Sequence, residues 1–171
     1  QLPLSPNQAR LWFLNRLDPT STDYSVLLQA TFRGDLDTDA FADAVDDVVV
    51  RHEILRTTYP EVDGQPVQRI HDVVPGIVTS AAVDTSAGFD LTVDLPVRAG
   101  LVATGDQQWR LDLLIHHIAT DGASLGPLAR DIATAYAART GSTARVQRPL
   151  EVQYADFARM QRALLETDGG R

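Results

Sequence analysis

The most constraining stretch of this 171-residue chain runs from Trp109 to Tyr136. Trp109, Leu111, Leu113 and Ile115 alternate with Arg110, Asp112 and Leu114, the period-2 pattern of a strand with one buried face. Leu125, Leu128, Ala129, Ile132 and Tyr136 then recur at helical spacing. Between the two periods lie His116-His117-Ile118-Ala119-Thr120-Asp121-Gly122, so two histidines stand at a strand end and Asp121-Gly122 turns into a helix. A rigid element that ends in an exposed loop is where folds commonly hold functional groups.

The rest of the chain reads outward from there. Ser5-Pro6-Asn7-Gln8 is a dense helix start, with Ser5 as N-cap, Pro6 at the first helical position and Gln8 placed to close a capping box. That helix is expected to reach Leu17 and to be covered over more than half its circumference. A strand is predicted over 25–32 and a helix from Thr38 or Asp39 with Phe41, Ala44, Val45, Val48 and His52 on one face. Leu55 to Tyr59 reads as a short strand, Asp63-Gly64 as a turn, and Val67 to Ile70 as the returning partner. One short strand is placed at Ile77 to Val83. Val97 to Thr104 and Gln108 to His117 form a hairpin about Gly105-Asp106, followed by a helix over 122–139. A polar connector spans Thr140 to Pro149. A last helix, from about Gln153 to Glu166, carries Tyr154, Phe157, Met160 and Leu164 on one side, and a polar tail follows from Thr167.

Composition narrows the chemistry. With 44% hydrophobic residues and no apolar run near the ~20 residues of a membrane span, the chain reads as one globular domain with a cytoplasmic location as the default and no membrane partner. It contains no cysteine, which removes disulfides, thiolate metal sites and a cysteine nucleophile. A net charge of −8 argues against a nucleic-acid partner, because phosphate binding rests on a basic surface.

Adjacent strand residues face opposite ways, so His116 and His117 do not serve one site together. His117 continues the Trp109-to-Ile115 face, and one histidine is expected to be chemical and the other structural; the plainer alternative is that both fill hydrogen-bonding niches. A metal site built on His117 and Asp121 needs a helix between them, which the strand before and Gly122 after oppose, and no third ligand follows nearby. Asp121 either orients an imidazole or anchors the turn by capping or by pairing with an arginine, the latter being preferred. Ser124 lacks the glycine-flanked elbow of a hydrolase nucleophile.

Four stretches in order resemble condensation domains of nonribosomal peptide synthetases. His116-His117-Ile118-Ala119-Thr120-Asp121-Gly122 resembles the family's His-His-x-x-x-Asp-Gly motif. Ser5 to Leu14 is similar to its opening helix, with Asn7 where a small residue is more usual. Arg51 to Tyr59 is similar to Arg-His-Glu-x-Leu-Arg-Thr-x-Phe, with Tyr59 in the Phe place. Tyr154 to Gln161 is similar to Tyr-x-Asp-Phe-Ala, with Met160 where Trp is common.

The resemblance implies an α+β fold: a two-layer chloramphenicol-acetyltransferase-like lobe with a mixed, largely antiparallel sheet and helices packed on it. It implies that residues 1–171 are the N-terminal lobe, the second lobe lying outside this chain, so that the fragment alone is expected to be inactive. The implied reaction joins a donor acyl or peptidyl thioester to the α-amino group of an acceptor aminoacyl thioester. Both are carried on phosphopantetheine of carrier proteins, with no cofactor or metal bound directly. His117 is implied as the catalytic group. His116, Asp121, Arg56 and Gly122 are implied as supporting residues, Asp121 pairing with Arg56 under the site. Gly122 and Ser124 are expected in the neighbourhood of an oxyanion. Expected partners are donor and acceptor peptidyl carrier proteins and the C-terminal lobe. A stand-alone acyltransferase of the chloramphenicol-acetyltransferase type, a non-catalytic docking lobe and an epimerisation-type relative are the alternatives.

Overall fold

A computed structural model describes residues 2–72, 76–141 and 147–168. The middle of the predicted connector and the end of the predicted tail lie outside the described residues. The elements in chain order are β1 (Leu2–Pro3), α1 (Pro6–Leu17), β2 (Ser25–Arg33), α2 (Thr38–Arg51), a 3-10 turn (Glu53–Arg56), β3 (Thr57–Thr58), β4 (Glu61–Val62), β5 (Gln65–Ile70), β6 (Val78–Thr79), β7 (Val97–Gly105), β8 (Gln108–His116), α3 (Leu125–Arg139) and α4 (Tyr154–Asp168). The fold is α+β. One sheet has the order β2-β8-β7-β6, antiparallel except for the β6–β7 pair, and the smaller sheet joins β1, β5 and β3, with β4 also pairing to β5.

Strand β8 is the axis of the large sheet. Its odd-numbered residues meet the helix layer: Leu113 and Ile115 share one small void with Val45, Val48 and Val49 of α2 and Leu128 and Ile132 of α3. Phe32 of β2 packs edge-on to Phe41 of α2, with ring centroids 5.3 Å apart. The opposite face, carrying Asp112, Leu114 and His116, is covered by the segment between β6 and β7. Phe89 of that segment lies 5.9 Å from the His116 ring, with Arg98 stacked over it at 4.2 Å. Helix α1 is tied to the same region by Asn15, which donates to the Phe89 carbonyl at 2.8 Å, and by Trp12, which donates to the Tyr59 carbonyl at 2.8 Å.

Local sequence chemistry set many of the boundaries. The capping box forms, with Gln8 N–H donating to Ser5 Oγ and the Gln8 side chain accepting from Ser5 N–H. Asp63 and Gly64 both take positive φ, 52° and 75°, as a two-residue hairpin turn requires.

Elsewhere tertiary demands moved the elements. The predicted 55–59 strand begins within a 3-10 turn that ends at Arg56, where Leu55 N–H bonds the His52 carbonyl and Thr57 Oγ1 bonds the Glu53 carbonyl, and only Thr57–Thr58 forms a strand. The 97–117 hairpin turns at Asp106-Gln107 rather than Gly105-Asp106, since a bulge between Ala103 and Gly105 absorbs a residue and pairs Gly105 with Gln108. The strand at 77–83 shrinks to β6. Helix α1 is covered less than expected: Leu11 is buried, yet Phe13 and Leu17 are 58% and 68% exposed. In α4 it is Ala155 and Ala158 that are buried, whereas Phe157, Met160 and Leu164 face outward. Among the described residues no helix is long and apolar enough to cross a membrane.

Gly100 of β7 is required by close approach. A Cβ there would lie 2.1 Å from the Ala81 carbonyl oxygen, in the segment that covers the sheet. Alanine normally stabilises a strand over glycine by roughly 0.5–1 kcal/mol. Here the overlap with backbone dominates, and Gly100→Ala is expected to destabilise the fold by about 1–3 kcal/mol in denaturant unfolding.

Candidate active site

Strand β8 ends at His116, and the next residues are held by short-range bonds. His117 N–H donates to the Tyr24 carbonyl at 2.7 Å, extending the β2 ladder by one step. Ile118 N–H donates to His116 Nδ1 at 3.0 Å, and Ala119 N–H to the His116 carbonyl at 2.9 Å. The His116 ring is therefore an acceptor at Nδ1 and carries its proton on Nε2. It is buried beside Phe89 and Tyr24. Burial, with a smaller contribution from His117, pushes its pKa down to about 4. His116 thus stays neutral at pH 7 and braces the turn that aims its neighbour.

His117 is exposed and lines a cleft of about 580 Å³. The strand alternation holds to its end, sending His116 and His117 to opposite sides. The other walls come from Leu128 of α3, Tyr154 and Phe157 of α4, His52, and the 150–153 segment. A groove of about 920 Å³ lies between β1 and α4 but is lined by apolar, glutamine and arginine side chains without histidine or carboxylate. The smaller cleft is the chemically equipped one.

Asp121 departs from the expected pairing. Its carboxylate accepts from Ser124 N–H at 2.9 Å and from the Ser124 hydroxyl, which hold its pKa below the ordinary carboxylate range. Arg56 is engaged elsewhere, with the Val50 carbonyl, the His71 carbonyl and Glu53. The Asp121–Arg56 ion pair is therefore not formed, because each partner has a nearer one in its own segment. The Asp121–Ser124 contact also delays α3 to Leu125 and uses both Ser124 donors, leaving Ser124 with no free N–H or hydroxyl hydrogen for an oxyanion. Gly122 is exposed, nothing lies within 4 Å of where its Cβ would be, and it is not among the residues that line the cleft.

Sequence reasoning placed His52 on the core face of α2 and did not assign it to the cleft. As the C-cap of α2 it turns toward α3, where Nε2 lies 2.7 Å from Asp131 Oδ2. The same carboxylate accepts from Arg51 Nε at 3.2 Å and Gln147 Nε2 at 2.9 Å. Gln153 closes the arrangement, donating to the Arg51 carbonyl and accepting from Glu53 N–H. The Arg-His-Glu run was the available signal; its partners are ~80 and ~100 residues distant, beyond any local pattern. Among the described residues no group of three or more His, Cys, Asp or Glu side chains is placed to hold a metal ion.

Residues 1–170 match the family model "Condensation domain". The chain belongs to the condensation-domain family. It is 46% identical over 178 residues to a probable non-canonical nonribosomal peptide synthetase, CymA, of Salinispora arenicola, covering 96% of this chain and 2% of that protein. It is 40% identical to a dimodular nonribosomal peptide synthase of Bacillus subtilis, covering 96% of this chain and 8% of that one. Among solved structures it matches the X-domain from teicoplanin biosynthesis, determined in complex with OxyB, at a TM-score of 0.88 and 35% identity, covering 98% of this chain and 39% of that chain. The chain thus spans a small part of its curated relatives and about two fifths of that solved chain.

Two measurements follow from the condensation-domain site. Because the folded pKa of His116 lies below the 6.5 of an unperturbed histidine, the unfolded state binds the extra proton between those values. Stability is full above pH 6.5 and falls as pH drops toward 4, by ~3 kcal/mol over the window. In urea titrations His116→Asn, which keeps an acceptor for Ile118 N–H, should flatten this slope. In a double-mutant cycle of Asp121→Ala and Arg56→Ala, the coupling should stay within about 0.5 kcal/mol, with Asp121→Ala alone costing about 1 kcal/mol through the lost turn contact.

Proposed function

We propose that this chain is the N-terminal lobe of a peptide-bond-forming condensation domain and that His117 is its catalytic residue. The observation that carries the reading is the placement of His117: exposed on a cleft, at the end of a buried strand, with its backbone held by Tyr24 and by the His116 turn. In the reaction, the acceptor's α-amino group attacks the donor thioester carbonyl. The C–N bond forms, the C–S bond breaks, and the amine loses a proton as the thiolate leaves. His117 serves as the acceptor for that proton or as the hydrogen-bond acceptor that aims the amine's lone pair. A positioned base contributes roughly 10²- to 10⁴-fold, equivalent to ~3–5 kcal/mol. Holding two tethered substrates in line contributes up to ~7–11 kcal/mol. A thioester is already activated, so positioning is the larger part.

His116 and Asp121 support this role by fixing the turn from both ends. Arg56 braces the segment between α2 and β3, remote from Asp121. The substrates are carried on the phosphopantetheine arms of donor and acceptor carrier proteins, and a C-terminal lobe supplies the facing wall of the cleft. In the two-lobe protein with both carrier-bound substrates, His117→Ala should lower peptide formation by about 10²- to 10⁴-fold with an unchanged melting temperature. Turnover near the parent level would refute the assignment.

A docking role without peptide formation is the second reading, favoured by the likeness to an X-domain solved in complex with OxyB. Under it the parent two-lobe protein binds a partner yet forms no peptide, and His117→Ala leaves that binding intact.

A further inference from the structure

The cleft that holds His117 is unevenly furnished. Its apolar lining includes Ile54 of the 3-10 turn, Leu128 of α3, Leu150 and Val152 of the segment before α4, and Phe157 of α4. Val152 and Phe157 are 66% and 41% exposed, large apolar side chains left in water at the cleft. Among the described residues no lysine, arginine or glutamate lines it, and Asp121 is its one carboxylate.

Most of the polar lining is engaged within the protein. Asp121 accepts from Ser124 at both its N–H and its hydroxyl, and His52 meets Asp131 through Nε2. Tyr154 Oη lies 3.0 Å from Ser5 Oγ. Gln153 uses both ends of its amide, on the Arg51 carbonyl and on Glu53 N–H. Asn7, on the first turn of α1, and His117 are the polar liners whose side chains make no hydrogen bond within the chain, among the described residues. A carboxylate entering this cleft would lose its water and meet no free cation. An apolar group would instead cover Val152 and Phe157.

We propose that this cleft takes an apolar side chain of a carrier-bound aminoacyl or peptidyl thioester, and that Leu150, Val152 and Phe157 select it. The proposal rests on the reading of the chain as a condensation lobe and adds the class of substrate. The side chain belongs to the donor residue or to the acceptor residue, which offer the cleft the same chemistry.

The test measures kcat/KM for peptide formation by the two-lobe protein with carrier-bound substrates. A leucyl or an aspartyl residue is placed in turn at the donor and at the acceptor position, with alanyl kept at the other. The parent should prefer leucyl to aspartyl at least about tenfold at one position, which names the source of the side chain. Val152→Arg puts a cation at an exposed site and should cut that ratio at least about tenfold with an unchanged melting temperature. Phe157→Arg supplies the same reading if Val152→Arg lowers the melting temperature. Equal use of leucyl and aspartyl at both positions overturns the proposal and leaves the condensation reading standing, whereas a parent that forms no peptide from any of them overturns both. A leucyl preference that the arginine variants leave unchanged also overturns it, because these side chains then do not select the substrate.

Discussion

The structure depends on β8 being buried on both faces and paired on both edges. From Leu111 to His116 every residue of the strand is buried, between β2 and β7 laterally and between the helix layer and the Phe89 segment vertically. Such a position offers no water to a polar side chain, so each polar group on it must find a partner in the protein. Asp112 does so with Arg110 at 2.8 Å and Gln29 at 2.7 Å, and these contacts, Arg110 foremost, hold its pKa below the usual carboxylate range. His116 does so by remaining neutral and accepting from Ile118. The strand's burial therefore determines the protonation state of the residue beside the catalytic candidate.

Rigidity at His117 follows from the same constraint. Its backbone is the last rung of the β2–β8 ladder, and its side chain is the first to leave the packed region. The Asp121–Ser124 contact fixes the far end of the turn at the start of α3. A base that must meet an amine within hydrogen-bond reach gains from being aimed before substrate arrives, since a misplacement of ~1 Å can cost on the order of 10²-fold. The cleft's other walls come from α4 and from the α2–α3 junction around Asp131, parts of the chain distant in sequence and joined through Gln147 and Gln153. The cleft is thus a product of distant parts of the chain meeting, with Asn7, His52, His117 and Tyr154 all among its lining residues.

Much of this was legible beforehand where chemistry is local. Ser5-Pro6-Asn7-Gln8 specifies its own cap, Asp63-Gly64 its own turn, and the alternation through Trp109–Ile115 its own strand; the alternation implied one buried face, whereas the face of Asp112, Leu114 and His116 is buried as well, under the Phe89 segment. The divergent fates of His116 and His117 followed from that alternation alone. Less legible were features that depend on what lies opposite. The outward face of α1 holds Phe13 and Leu17, whose hydrophobicity argued for a cover that the described fold does not supply. Arg56 was assigned to Asp121 by resemblance, yet Glu53 and two backbone carbonyls lie closer. For His52 the Arg51-His52-Glu53 run was the one signal, and it did not point to the cleft, because the partner Asp131 belongs to another helix.

By itself the sequence determined the α+β character, the principal strands and helices, and the opposite directions taken by His116 and His117. Periodicity, capping and turn preferences are properties of a few consecutive residues, so no tertiary information was needed. Only the tertiary structure decided which acidic group each arginine meets, that Ser124 serves Asp121, and that His52, Tyr154 and Phe157 stand around His117. Side-chain pairing across the fold is a competition among all groups within reach. Its outcome depends on distances that the order of residues does not contain.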